Sequence, residues 1–257
     1  MRYAVNYFDG IETKILFEKV DEFHFYWSYE NLVEFATAHP QKTIVYHPEY
    51  SSDLPEWLYN SLPENVIVAF QLKKFTVWDC EIFNKDGKKF YIDEAITSFE
   101  NATRAKELGA CRLNIAGTLF FQMDKVKAYE LPIMVDPRIS SSIDAFPGIL
   151  DAPSAHWIRP EDVEMYEDYI DTICFKEFDE NRAGALVRIY KEEKKWAGPL
   201  ELLIPYVDES VYNRMLNSEL TVRRLNCGQV CRTPVGTCRL CHRQFSLANP
   251  DLFLDKK

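Results

Sequence analysis

Short apolar runs of strand length, separated by segments of helical period, recur along most of this 257-residue chain. They are residues 2–8 (RYAVNYF), 22–27 (EFHFYW), 43–48 (TIVYHP), 66–72 (VIVAFQL), 111–116 (CRLNIA), 132–135 (PIMV), 153–159, 172–178 (TICFKEF) and 200–206. Runs such as VIVAF, apolar on both faces, suit parallel strands that are covered on either side. Parallel neighbours need crossover connections, and helix-period segments at 29–38, 55–62, 99–108, 119–129, 161–169 and 182–194 supply them. Eight or nine strands alternating with helices predict an α/β fold. A closed barrel and an open doubly wound sheet both satisfy the pattern. The barrel is favoured because no Gly-rich phosphate loop follows an early strand.

One interval breaks the alternation. Residues 76–92, TVWDCEIFNKDGKKFYI, read as a β-hairpin insertion, with Asp86-Gly87 as its two-residue turn. The expected organisation is therefore a TIM-like barrel over residues 1–206 with this insertion, followed by a segment at 207–257. That last segment opens with a helix at 209–217 and then becomes cysteine-rich.

Four of the seven cysteines, Cys227, Cys231, Cys238 and Cys241, are spaced C-x3-C, six residues, C-x2-C. Thiols that close together in an enzyme-sized acidic chain read as a metal site sooner than as disulfides, and both zinc and an iron–sulfur cluster fit four of them. Cys80, Cys111 and Cys174 stand singly in strand-like contexts and read as reduced core residues. The formal net charge of -10 argues against broad nucleic-acid binding by the main body. Charge is unevenly placed, however: between Leu220 and Pro250 lie Arg223, Arg224, Arg232, Arg239 and Arg243, and no acidic residue. This stretch can balance metal thiolates or contact an anion, whether a small molecule, an RNA backbone or an acidic protein partner. No apolar run approaches the roughly 20 residues of a membrane span, and the first residues lack a secretory pattern, so a reducing, cytoplasmic setting is expected.

In a parallel barrel, functional groups gather beyond the C-terminal strand ends. Those positions hold Trp27, Ser28, His47, Glu49, Gln71, Asn114, Asp136, Arg138, His156, Arg159, Lys176 and Glu177. Asp136, His156, Arg159 and Lys176 are the candidate catalytic groups. Asn114, Arg138, Arg159 and Lys176 are the candidate substrate contacts, the cations through charge-assisted hydrogen bonds. No G-x-S-x-G elbow and no H-E-x-x-H helix occurs, which leaves classical hydrolysis without a motif.

Two stretches carry a family resemblance. Residues 227–234, CGQVCRTP, resemble the C-A-Q-P-C-R-x-P element of the collagenase-like peptidase family U-32. Residues 157–176, WIRPEDVEMYEDYIDTICFK, resemble the W-I-R-P-E-D-L…Y-E…I-D…F-K stretch of some divergent members. The resemblance implies a TIM-like barrel with a four-cysteine iron–sulfur cluster, four-iron four-sulfur in type. Despite the peptidase label, members include proteins for RNA base hydroxylation and for oxygen-independent quinone hydroxylation. Cys227 and Cys231 match two cluster ligands of the family, whereas Cys238 and Cys241 fall outside its pattern. The expected function is thus a cluster-dependent hydroxylation-type modification of RNA or a small aromatic substrate. The alternative is a non-catalytic barrel with a structural zinc clasp, acting as a binding or assembly protein.

Overall fold

The computed structural model of the chain describes residues 1–26, 30–71, 76–94, 96–116, 122–138, 160–177 and 179–195, together with Leu119, Ile158 and Leu202. Eight parallel strands form one sheet: β1 Arg2–Asn6, β2 Glu22–Tyr26, β3 Thr43–His47, β4 Val66–Phe70, β5 Lys89–Ile92, β6 Leu113–Ile115, β7 Ile133–Val135 and β8 Thr172–Phe175. Their order, β5-β4-β3-β2-β1-β8-β7-β6, brings β5 and β6 to the two ends of the sheet. Those ends meet. Cys111 N donates to Phe90 O at 2.8 Å, and a parallel bridge joins Ile96 to Ile115, with Ile96 N on Asn114 O at 2.8 Å. The sheet is a nearly closed β/α barrel, as the strand count and alternation predict.

The helices α1 Ile15–Lys19, α2 Leu32–Ala38, α3 Glu56–Ser61, α4 Val77–Lys85, α5 Phe99–Glu107, α6 Met123–Lys127 and α7 Glu180–Val187 lie on the outside. A 3-10 segment, Pro160–Tyr166, precedes β8, and α7 runs on into a π turn at Arg188–Glu193. Alternation along each strand separates two apolar layers. Val5, Phe23, Ile44, Val68, Phe90 and Phe175 belong to the larger core shared with helix residues such as Phe35 and Leu186. Ala4, Val45, Ala69, Tyr91, Met134 and Cys174 form the smaller cluster inside the barrel.

The hairpin expected at 76–92 is not an insertion. The interval holds α4, which completes the fourth β/α unit, and β5, which opens the fifth and pairs with β4 in parallel from Ile67↔Lys89 to Phe70↔Ile92. Two local signals override the apparent alternation. Thr76 and Asp79 form a reciprocal capping box at the helix start, with Thr76 N donating to Asp79 Oδ2 at 2.7 Å. Cys80 and Phe83 are the buried positions of α4, a spacing of three that belongs to a helix. Asp86-Gly87 ends that helix. Gly87 takes φ 67°, and Lys88 N reaches back to Phe83 O at 2.9 Å, the 6→1 bond of a left-handed helix stop.

Gly109 stops α5 as the sequence indicates, with φ 87°. A Cβ there would lie 2.3 Å from the Asn84 side-chain amide, whose nitrogen donates to Leu108 O at 2.8 Å, so glycine is required twice over. The strand expected at 153–159 leaves only Ile158 among the described residues, and its N–H bonds Pro137 O at 2.9 Å outside any strand. Of the strand expected at 200–206, only Leu202 is described, and the helix at 209–217 with the whole four-cysteine segment lies outside the described residues.

Candidate functional site

A polar chain threads the inside of the barrel. On β2, alternation points Glu22 and His24 inward, and both are fully buried. On β3 the inward residue at the strand end is His47; just past β5 it is Asp93, and just past β8 it is Lys176. Glu22 Oε1 lies 2.8 Å from His24 Nε2, and His24 Nδ1 lies 2.8 Å from His47 Nε2. His47 Nδ1 then sits 3.0 Å from Asp93 Oδ2, and Lys176 Nζ donates to Asp93 Oδ1 at 3.1 Å. Tyr91 OH also donates to Asp93 Oδ1 at 3.2 Å, and Asn114 Nδ2 donates to the Asp93 carbonyl at 3.1 Å.

The lower end of this chain is anchored from across the barrel. Arg112, two positions ahead of Asn114 and likewise inward, donates from Nη1 to both Glu22 oxygens at 2.8 Å. Its guanidinium lies 4.4 Å above the Tyr91 ring. Burial alone would raise the Glu22 carboxyl, but Arg112 and His24 outweigh it and hold Glu22 at about 2. Asp93 is likewise driven well below the carboxylate range: burial opposes this, and His47 and Lys176 overcome it. For Lys176, burial pulls the ammonium down, while Asp93, Cys174 and Asp136 more than reverse that, so the side chain is held charged. Its side chain keeps 25% of its surface exposed.

A second cluster sits beside the first. Arg138 donates from Nε to Asp136 Oδ1 at 2.9 Å, from Nη2 to Asp136 Oδ2 at 2.5 Å and from Nη1 to Glu177 Oε1, while Arg182 Nε takes Glu177 Oε2 at 3.1 Å. The Arg138 side chain is 0% exposed, and all three of its nitrogens point at carboxylates. In this arrangement Arg138 fixes Asp136 and Glu177 after β7 and β8 and is not presented to a ligand. Asp136 retains partial exposure at the mouth.

Of the residues singled out in the sequence, His47, Asn114 and Lys176 converge on Asp93, and Asp136, Arg138 and Glu177 converge on one another. Glu49 and Gln71 are half-buried past β3 and β4. Trp27, Ser28, His156 and Arg159, and the proposed ligands Cys227, Cys231, Cys238 and Cys241, lie outside the described residues. Among the described residues no group of three or more His, Cys, Asp or Glu is arranged to hold a metal, and no helix is long and apolar enough to cross a membrane. Glu22, His24, Asp93, Arg112 and Asn6 are the site residues that sequence reasoning missed. Their signal is a polar side chain at alternate positions of an otherwise apolar strand, as in E-F-H-F-Y. Asp93 was hidden because the strand before it read as half of a hairpin.

Asn6 ends β1, opposite His24 on one side and next in register to the Lys176 row on the other. It is 2% exposed, and neither its Nδ2 nor its Oδ1 has a hydrogen-bond partner among the described residues. A buried amide without partners costs about 1–3 kcal/mol. The Asn6→Leu variant is therefore expected to unfold at higher urea concentration than the wild type, by about 1–3 kcal/mol. A loss of stability would show the amide to be a structural partner.

No family model and no curated protein matches the chain. Among solved structures, 3-keto-L-gulonate-6-phosphate decarboxylase from Vibrio cholerae O1 biovar El Tor is similar at 10% identity over 76% of this chain and 96% of that one, with a TM-score of 0.48. 3-Hexulose-6-phosphate synthase from Salmonella typhimurium is similar at 12% identity over 74% of this chain and 98% of that one, with a TM-score of 0.43. At these values the similarity carries nothing about function.

Proposed function

We propose that the chain is a barrel enzyme resembling the collagenase-like peptidase family U-32. It carries an iron–sulfur cluster on its C-terminal cysteines and makes a hydroxylation-type modification of RNA or a small aromatic substrate at the barrel mouth. The observation that carries the catalytic half of this reading is Lys176, a partly exposed ammonium held at a strand end by a buried carboxylate. It suits an anionic oxygen, such as that of a phenolate or enolate, which it binds by a charge-assisted hydrogen bond and to which it can pass a proton. Asp93 keeps Lys176 charged and in place, the Asn6 amide offers a neutral polar contact beside it, and Arg138 holds Asp136 and Glu177 still.

The donor chemistry fits a soft-metal centre in the tail. Cys80 and Cys174 are buried singly, and burial pushes their thiols up to about 11 and about 12, so neither offers a thiolate. Cys111 is also raised, chiefly by burial. Cys227, Cys231, Cys238 and Cys241 would hold the cluster, which when bound supplies one-electron chemistry.

Metal analysis tests the reading. The full chain purified without oxygen is expected to contain iron and acid-labile sulfide and to show a visible charge-transfer band that is lost on replacing Cys227 and Cys231 by Ser. Zinc at about one per chain, with no redox response, would replace the cluster by a structural clasp and favour a binding or assembly role.

A further inference from the structure

Three contacts join Glu22 to Asp93 through the two imidazoles: Glu22 Oε1 to His24 Nε2 and His24 Nδ1 to His47 Nε2, both 2.8 Å, and His47 Nδ1 to Asp93 Oδ2 at 3.0 Å. An ionised carboxylate only accepts, and a neutral imidazole has one N–H and one bare nitrogen. Two neutral histidines therefore bring two protons to three contacts. With both protons on Nδ1, His24 Nε2 and Glu22 Oε1 face each other as lone pairs. With both on Nε2, the same conflict moves to His47 Nδ1 and Asp93. With His24 protonated on Nε2 and His47 on Nδ1, the conflict moves between the rings, so every neutral order leaves two acceptors at hydrogen-bond distance inside the barrel, where unmatched polar atoms are most unfavourable.

We propose that the His24–His47 pair carries three protons instead of two, and so stores one spare proton in the middle of the barrel. The Glu22 carboxylate is kept ionised by the bifurcated bond from Arg112, with Arg2 Nη2 3.8 Å away, which places the spare proton on the imidazoles. Cys174 Sγ lies 3.6 Å from His24 Nε2 and, as a neutral thiol, neither supplies nor removes charge. The Tyr26 ring stacks on His47 with centroids 4.0 Å apart, and the Tyr91 ring stands edge-on at 6.3 Å, so a cationic imidazole has an aromatic face against it. The Glu22 and Asp93 carboxylates favour the spare proton, and the Arg112 and Lys176 cations oppose it. Burial is the largest force against it, and with those cations it draws both imidazoles down, His24 to about 4. The contacts at 2.8, 2.8 and 3.0 Å each call for a proton between their atoms, and two neutral rings supply only two.

The use of the store rests on the role proposed above for Lys176. When Lys176 gives a proton to a substrate oxygen it becomes a neutral amine. The spare proton then passes from His47 Nδ1 to Asp93 Oδ2, and a turn of the neutral carboxyl group delivers it to the Lys176 amine, restoring the ammonium and the Asp93 carboxylate and leaving the pair with two protons. Glu22, His24 and His47 touch no substrate in this scheme; they are positioning residues that reload Lys176.

The proton count is measurable without any substrate. In full-length protein labelled with ¹⁵N-histidine, the two rings are recognised by the ¹⁵N–¹⁵N coupling across their shared hydrogen bond. At pH 7 their four nitrogens are expected to show three protonated and one bare. Two protonated and two bare nitrogens, or no coupling, would overturn the proposal. Glu22→Gln gives a second reading: its amide N–H satisfies His24 Nε2 and its oxygen keeps Arg112, so the count falls from three to two with the fold intact. A count that stays at three in E22Q also overturns it. An iron-free, inactive protein with three ring protons would sink the proposed function and leave this inference standing.

Discussion

Replacing Arg112 by Leu is expected to destabilise the barrel by about 3–5 kcal/mol, the loss typical of stranding one half of a buried ion pair. Glu22 is fully buried, and Arg112 is the guanidinium that donates to both its oxygens. Without Arg112, burial dominates and the Glu22 pKa rises, so Glu22 takes up a proton. The double variant Glu22→Leu with Arg112→Leu is expected to recover much of the loss, because no charge is then left unpaired. Urea unfolding of the two single variants and the double gives the coupling directly; additive losses would mean that the pair acts independently. The sign with pH follows from the same carboxylate. Its folded pKa of about 2 lies below the ordinary 4.5, so its contribution is fully present above about pH 4.5 and is lost as pH falls toward 2. That acid limb should flatten in the double variant.

Lys176→Met is expected to lower turnover by roughly 10²–10⁴-fold, the range for removing a positioned proton donor, with the barrel still folded. The readout is oxygen gain by RNA or by a small aromatic substrate, followed by mass spectrometry. Asp93 keeps His47, Tyr91 and the Asn114 amide around it, so the variant retains most of that scaffold. Lys176→Arg is not expected to rescue, since a planar guanidinium does not titrate and cannot pass the proton on. Turnover unchanged in Lys176→Met would remove Lys176 from the mechanism and return the mouth to a structural role.

Much of the barrel was legible because its strands are encoded locally. Runs such as VIVAF and TICF are apolar on both faces, and only a sheet covered on both sides accommodates that. Gly109 as a helix stop was equally local. The interval 76–92 was misread because Val77, Trp78, Cys80 and Ile82 can be parsed with a period of two or of three to four. The Thr76–Asp79 capping box decides for the helix, and parallel pairing to β4 then makes β5 a barrel strand.

The site divides along the same line. Strand-end positions are visible in a sequence once a barrel is assumed, and His47, Asn114, Asp136 and Lys176 stand at them. The partners that give them chemistry come from strands far apart in the chain: Glu22 with Arg112, His24 with His47, Asp93 with Lys176, and Asn6 beside them. The sequence by itself determined the alternation of buried strands and helices, and it placed four closely spaced thiols near the end of the chain. Only the tertiary structure decided that β5 closes against β6 and that one continuous polar chain threads the barrel. The reason is physical. Apolar periodicity is a property of neighbouring residues, whereas the pairing of a buried charge depends on which distant strand the closed sheet sets opposite it.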